Sequence, residues 1–207
     1  MNYIVFDLEW NQAQSKEQAI SQPIKLSGEI IQIGAVKLDR SFEIIDRFEI
    51  MVRPVYYTQM NPNVKKLTGI SQEDIDGGVP FDVAYKLFSD FCGDQFCYMT
   101  WGTDDVGILI SNMRIHNIPA SPFFRTYNLQ RIYGRQIVKA KGQVSLEDAV
   151  ANLGEPPYQA HNALSDAVST ALVCKHLDIR SEAPILVPTN KKPAPRSRRR
   201  RNVRKPS

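Results

Sequence analysis

Nowhere in this chain do eighteen apolar residues run together, so the sequence holds no membrane-spanning helix. Cysteine is scarce: Cys92, Cys97 and Cys174 are an odd number, and the closest pair has no histidine near it. That excludes a disulfide framework, argues against a zinc site and leaves reduced core thiols as the expectation. The opening residues carry Asp7 and Glu9, not a basic start followed by an apolar stretch. No secretory signal is expected, and the protein is read as cytoplasmic, or nuclear in a eukaryotic source. What remains is 207 residues, 43% hydrophobic and 23% charged, the composition expected of one soluble, well-buried domain.

Charge is unevenly spread. Residues 191–207, KKPAPRSRRRRNVRKPS, hold nine of the 26 basic residues and none of the 22 acids. The first 190 residues therefore carry 17 basic against 22 acidic side chains and are net negative by five. From residue 181 the composition shifts to proline, lysine and arginine, so 1–180 is read as the domain and 181–207 as a flexible tail. Such a tail suits contact with a polyanion, a nuclear-localisation signal or a plain solvated terminus; nucleic acid is the preferred reading.

Apolar and β-branched runs predict strands over 1–10, 29–39, 42–52 and 95–101, the second and third forming a hairpin. Apolar spacing and cap residues predict helices over 62–68, 80–92, 105–116, 144–153 and 163–177. Strands first, then strands alternating with helices, imply a mixed α/β sheet covered by helices.

The first strand, YIVFDLEWNQ, ends in a way a buried strand should not. Side chains two apart share a strand face, so Asp7 and Glu9 point together, away from Phe6, Leu8 and Trp10. Adjacent carboxylates repel and raise each other's pKa, which a hard divalent cation would relieve. Emergence of the strand into solvent would relieve it too. WGTDDVGIL adds Asp104 and Asp105 where a strand gives way to a helix, one of them a possible N-cap. AHNALSDAV adds His161, one of three histidines, and Asp166 in the early turns of the last helix. On the helical wheel Asp166 lies opposite the stripe of Leu164, Ala167, Val168, Ala171 and Leu172, a position expected to face water.

Taken in order, D-x-E, a mid-chain Asp and H-x(4)-D resemble the DEDDh 3′–5′ exonucleases, the superfamily of RNase T, polymerase proofreading subunits and Eri1-like enzymes. EIIQIGAVKLD (29–39) and NPNVKKLTGIS (61–71) are similar to two further stretches of that family, and W-G-x-x-D is closest to its Eri1-like branch. The resemblance covers about residues 1–178. It implies an RNase H-like fold with a mixed five-stranded sheet. It also implies two divalent ions, Mg²⁺ or Mn²⁺, held by Asp7, Glu9, Asp105 and Asp166, with His161 as the base that takes a proton from water. Asp105 is chosen over Asp104 because it places Ile108 and Leu109 at the family's apolar pair. By the same resemblance Leu8, Leu67, Thr68, Gly69 and Ile70 line the pocket for the 3′ nucleotide. Trp101 either stacks a base there or closes the core.

The implied activity is removal of nucleoside 5′-monophosphates from the 3′ end of single-stranded RNA or DNA, RNA favoured, with a homodimer possible. Two alternatives stand beside it: a DNA repair or proofreading exonuclease, and a nucleic-acid-binding module on a nuclease fold that no longer catalyses.

Overall fold

The computed structural model describes residues 2–22, 24–139 and 142–190. Six strands form one sheet in the order β3-β2-β1-β4-β5-β6. They are β1 (Asn2–Asn11), β2 (Glu29–Leu38), β3 (Ile44–Met51), β4 (Phe96–Thr100), β5 (Phe123–Asn128) and β6 (Ile185–Pro188). The first three are consecutive and antiparallel, β2 and β3 as their short connection requires. β4 and β5 each follow helical crossovers and run parallel to β1. The predicted β2–β3 hairpin is present, and Asp39 Oδ1 accepts from the amides of Ser41 and Glu43 at 2.7 and 3.0 Å.

Among the described residues, seven α-helices cover the sheet: α1 (Pro62–Thr68), α2 (Gln72–Asp76), α3 (Phe81–Cys92), α4 (Asp104–Ile115), α5 (Leu129–Tyr133), α6 (Leu146–Leu153) and α7 (Ala163–Cys174). α1 starts where Asn61 caps the amide of Asn63 and stops at Gly69, whose φ of 76° suits a residue without a Cβ. The core alternates along β1. Ile4, Phe6 and Leu8 meet α3 and α4 through Phe88, Leu109 and Met113. Val5 faces the other side with Met99, Tyr133, Ala171 and Cys174. All three cysteines are buried thiols outside any disulfide, as expected of core thiols.

Three expectations change. The sheet has six strands, not five, and the chain does not become a free tail at residue 181. Ile185, Leu186 and Val187 pair with β5, and Thr189 Oγ1 donates to the Ser121 carbonyl at 2.5 Å. This strand lies on the sheet edge, where Pro188 costs no ladder bond. The basic run 191–207 lies outside the described residues. Second, β5, α2 and α5 are additions to the predicted elements, and α7 ends at Cys174.

Third, α7 does not turn Asp166 to water. It lies flat on β1 and β2 and buries Ala163, Asp166, Ala167, Thr170, Ala171 and Cys174, while Leu164, Val168 and Leu172 are only half-buried. Small side chains allow this approach. At Gly34 a Cβ would stand 2.1 Å from the Ala163 carbonyl carbon and the Leu164 nitrogen, so the helix start needs glycine beneath it.

Candidate active site

β1 and β4 pair only as far as Val5 and Met99. Beyond that point the sheet opens, and α4 begins in the gap. The Leu8 amide, without a strand partner on that side, donates to Asp105 Oδ1 at 3.1 Å. Asp105 is thereby fixed beside Asp7 and Glu9. Its neighbour Asp104 is exposed on the lip. Burial thus distinguishes the two adjacent aspartates, Asp105 inside and Asp104 on the rim of the same cleft.

The other side of the site comes from the loop before α7. Asn162 caps the helix by accepting from Ser165 N at 3.0 Å. His161 adopts φ 61°, left-handed for a residue with a side chain. Its amide donates to Asp166 Oδ2 at 3.0 Å. The Tyr158 hydroxyl also hydrogen-bonds the Asp166 carboxylate. The helix start is held to the sheet by Gln32, which stands opposite Glu9 in the β1–β2 register. Gln32 Oε1 accepts from Ala163 N at 3.1 Å, while its Nε2 donates to Glu49 Oε1 at 2.9 Å. Asn162 Nδ2 donates to the same Glu49 oxygen at 3.4 Å.

These four carboxyls are held as unwilling anions. Burial raises Asp7 well above the usual range, and repulsion from Asp105, Asp166 and Glu9 adds to it. Burial, then Asp166 and Asp105, pushes Glu9 to about 8. Asp105 rises to about 7 through burial, opposed by the Leu8 amide. Asp166 rises to about 6 through burial, opposed by the His161 amide and Tyr158. Among the described residues no lysine or arginine forms an ion pair with any of them. A buried carboxylate cluster without a protein cation is the donor chemistry of a hard divalent ion. Ligand atoms of Glu9, His161 and Asp166 lie within 4.8 Å of one another, close enough to share one ion.

The cleft, about 340 Å³, brings together Asp7, Glu9, Asp105, His161 and Asp166 with Leu8, Leu67, Thr68 and Trp101. Leu67 projects into it and is 55% exposed. Thr68 lines it, but its hydroxyl is tied to the Val64 carbonyl and the Ile70 amide. Trp101 borders the cleft, and it also packs inward: its Nε1 donates to the Val144 carbonyl at 3.1 Å and its ring lies 5.6 Å from Tyr133. Gly69 and Ile70 are not part of the lining. Gly69 ends α1, and Ile70 is buried with Ile31, Met60, Val64 and Ile75. Their place is to set the pitch of the helix that presents Leu67.

Gln32, Glu49, Gly34 and Tyr158 were absent from the sequence reading. A glutamine and a glycine inside the apolar run EIIQIGAV were a visible signal. Glu49 and Tyr158 carried none, since their roles depend on partners 113 residues away in one case and on a loop conformation in the other.

Comparison with known proteins agrees with this geometry. The RNase T family model, described as an exonuclease, matches residues 4–174. The PolC-type DNA polymerase III of Clostridium perfringens is 29% identical over 174 residues, which is 84% of this chain and 11% of the polymerase. The chain therefore spans about a tenth of that relative. The nuclease domain of 3′hExo, a DEDDh family member bound to rAMP, superposes with a TM-score of 0.71 at 22% identity, covering 92% of this chain and 96% of that one. Escherichia coli exonuclease I in complex with a dT13 oligonucleotide superposes at 0.63 and 15% identity, covering 84% and 40%. The structural likenesses establish the RNase H-like exonuclease fold, and with the family match over most of its length the chain belongs to the RNase T exonuclease family.

Proposed function

We propose that the protein is a divalent-metal-dependent 3′–5′ exonuclease that removes nucleoside 5′-monophosphates from single-stranded nucleic acid, RNA in preference to DNA. The observation that carries this reading is the convergence of buried Glu9, Asp105 and Asp166 with half-buried Asp7 around one cleft, with His161 at its mouth. Two divalent ions, Mg²⁺ or Mn²⁺, held by those four carboxylates would neutralise charge on the scissile phosphate and make water a better nucleophile.

The chain's own groups do the rest. His161, exposed beside Asp166, accepts the proton of the attacking water, a step worth about 10²–10⁴-fold. Its left-handed backbone keeps the amide on Asp166, so base and acid move as one unit. Leu67 and the exposed edge of Trp101 offer apolar contact to the terminal nucleoside without selecting a base. The basic run 191–207 adds affinity for phosphates that is independent of sequence and sensitive to salt.

RNA is favoured because the rAMP-bound nuclease domain matches end to end, 96% of its length, whereas the match to DNA polymerase III takes in a small part of a large protein. A second reading, DNA as substrate, draws on the 29% identity to that same polymerase. Matched 5′-labelled RNA and DNA single strands, incubated with Mg²⁺, Mn²⁺ or EDTA, test both. A metal-dependent ladder shortening from the 3′ end supports the exonuclease, and the faster strand identifies the sugar. Binding without cleavage under any metal would leave a nucleic-acid-binding module instead.

A further inference from the structure

The acid cleft does not end at the acids. Gln12, just past β1, borders it and also borders a groove that continues along the segment joining β1 to β2, while Trp10 and Gln12 share a further hollow with Asp104. Gln12 is common to the cleft and to two adjoining hollows of about 460 and 510 Å³. One of these is walled by Gln14, Gln18, Tyr56 and Gln59, the other by Lys16 and Lys25. Neither has a carboxylate in its lining. The first 190 residues are net negative by five, yet the charged side chains in these two linings are both lysines, beside glutamines, serines and the two tyrosines Tyr56 and Tyr57. The only acid in residues 12–28, Glu17, bonds Ser15 and stays outside the lining.

The groove is also a built surface and not a slack loop. Glu29 is buried and accepts from the amides of Val55, Tyr56 and Tyr57. Asn11 Nδ2 donates to the carbonyls of Tyr57 and Gln59 at 2.7 and 2.9 Å. The Tyr57 hydroxyl closes the other wall, accepting from Ile20 N and donating to the Leu26 carbonyl. Both walls are therefore fixed relative to β1, and Tyr56, 41% exposed, is held outward.

We propose that this groove carries the nucleotides on the 5′ side of the scissile phosphodiester, so that a single strand enters along Lys16, Lys25 and Tyr56 and reaches the acids past Gln12. The inference rests on the exonuclease reading. The two lysines meet phosphates, the tyrosine face stacks a base, and the glutamine amides accept any base edge. A longer strand gains from the groove, while a dinucleotide does not reach it.

The test compares kcat/KM for a 12-mer and a dinucleotide of the same 3′ sequence, in the wild type, Lys16→Glu/Lys25→Glu and Tyr56→Ala. Anisotropy of the labelled 12-mer in EDTA is recorded alongside, at several salt concentrations. The ratio of 12-mer to dinucleotide turnover should fall at least about fivefold in the double variant. The slope of log affinity on log salt should become shallower by about 1.4, for two phosphates released from contact. An unchanged ratio and slope, with circular dichroism as in the wild type, would overturn the groove while leaving the exonuclease intact. Salt-dependent 12-mer binding that weakens in the variants, with neither substrate turned over by the wild type, would support the groove and sink the exonuclease reading.

Discussion

Gln32 and Ala163 stand 131 residues apart in the chain and are joined by one 3.1 Å hydrogen bond, from the first amide of α7 to the glutamine side chain. That bond, with Gln32 to Glu49, sets where His161 and Asp166 arrive relative to Asp7 and Glu9. Exchange of the partners is expected to follow donor and acceptor sense. Gln32→Glu keeps the acceptor for Ala163 but faces Glu49 with a second carboxylate, and should cut activity tenfold or more. Adding Glu49→Gln restores a donor between them and should recover most of it. Steady-state rates of the two variants check this; a double variant no better than the single would show that the bond does not position α7.

Gly34→Ala places a methyl group against the backbone of Ala163 and Leu164. Neither neighbour is a flexible side chain, so α7 must lift. The cost should be about 1–3 kcal/mol. Thermal unfolding should shift down by several degrees, with activity falling further than stability, because the lifted helix carries His161 and Asp166.

The raised carboxyls give the metal-free protein a particular pH dependence. Glu9 at about 8, Asp105 at about 7 and Asp166 at about 6 hold protons that the unfolded chain has lost above its ordinary carboxyl values. Their contribution to stability is complete below about pH 4 and is lost as pH rises toward 8. In EDTA the midpoint of thermal unfolding should therefore fall between pH 5 and pH 8. Mn²⁺ should raise that midpoint more at pH 8 than at pH 5.5, where protons compete for the same oxygens. Scanning calorimetry at the two pH values checks the sign; an equal metal increment at both would contradict it.

Tyr158→Phe removes the hydroxyl bond that favours the Asp166 carboxylate. The acid limb of the pH–rate profile should move to higher pH, with the loss largest near pH 6 and fading above pH 8. A uniform loss at every pH would make Tyr158 a packing residue.

Much of this was legible in the sequence, and the remainder divides by physical cause. Asp7 and Glu9 were legible because a period of two puts them on one face, and Phe6 and Leu8 lie on the other. Asp166 was misplaced by its helical wheel, since a helix seated by alanines on a glycine buries its small face and leaves half of its leucines near the surface. Gly69 and Ile70 belong to the helix stop and not to the cleft, a distinction that a four-residue motif cannot carry. β6 was obscured by Pro184 before it and Pro188 at its end, which an edge strand tolerates. The Gln32–Glu49–Asn162 bracket depends on a register that joins β2, β3 and α7, and no local pattern encodes it.

The central claim is that Asp105, held by the Leu8 amide, is one of four metal-holding acids, while exposed Asp104 is not. The most direct measurement is single-turnover release of mononucleotide from a 3′-labelled RNA in Mn²⁺, with the wild type, Asp105→Asn and Asp104→Asn side by side. The account predicts loss of at least about 10²-fold for Asp105→Asn, a change of less than fivefold for Asp104→Asn, and no release in EDTA. Equal loss in both variants, or release that persists in EDTA, would contradict it.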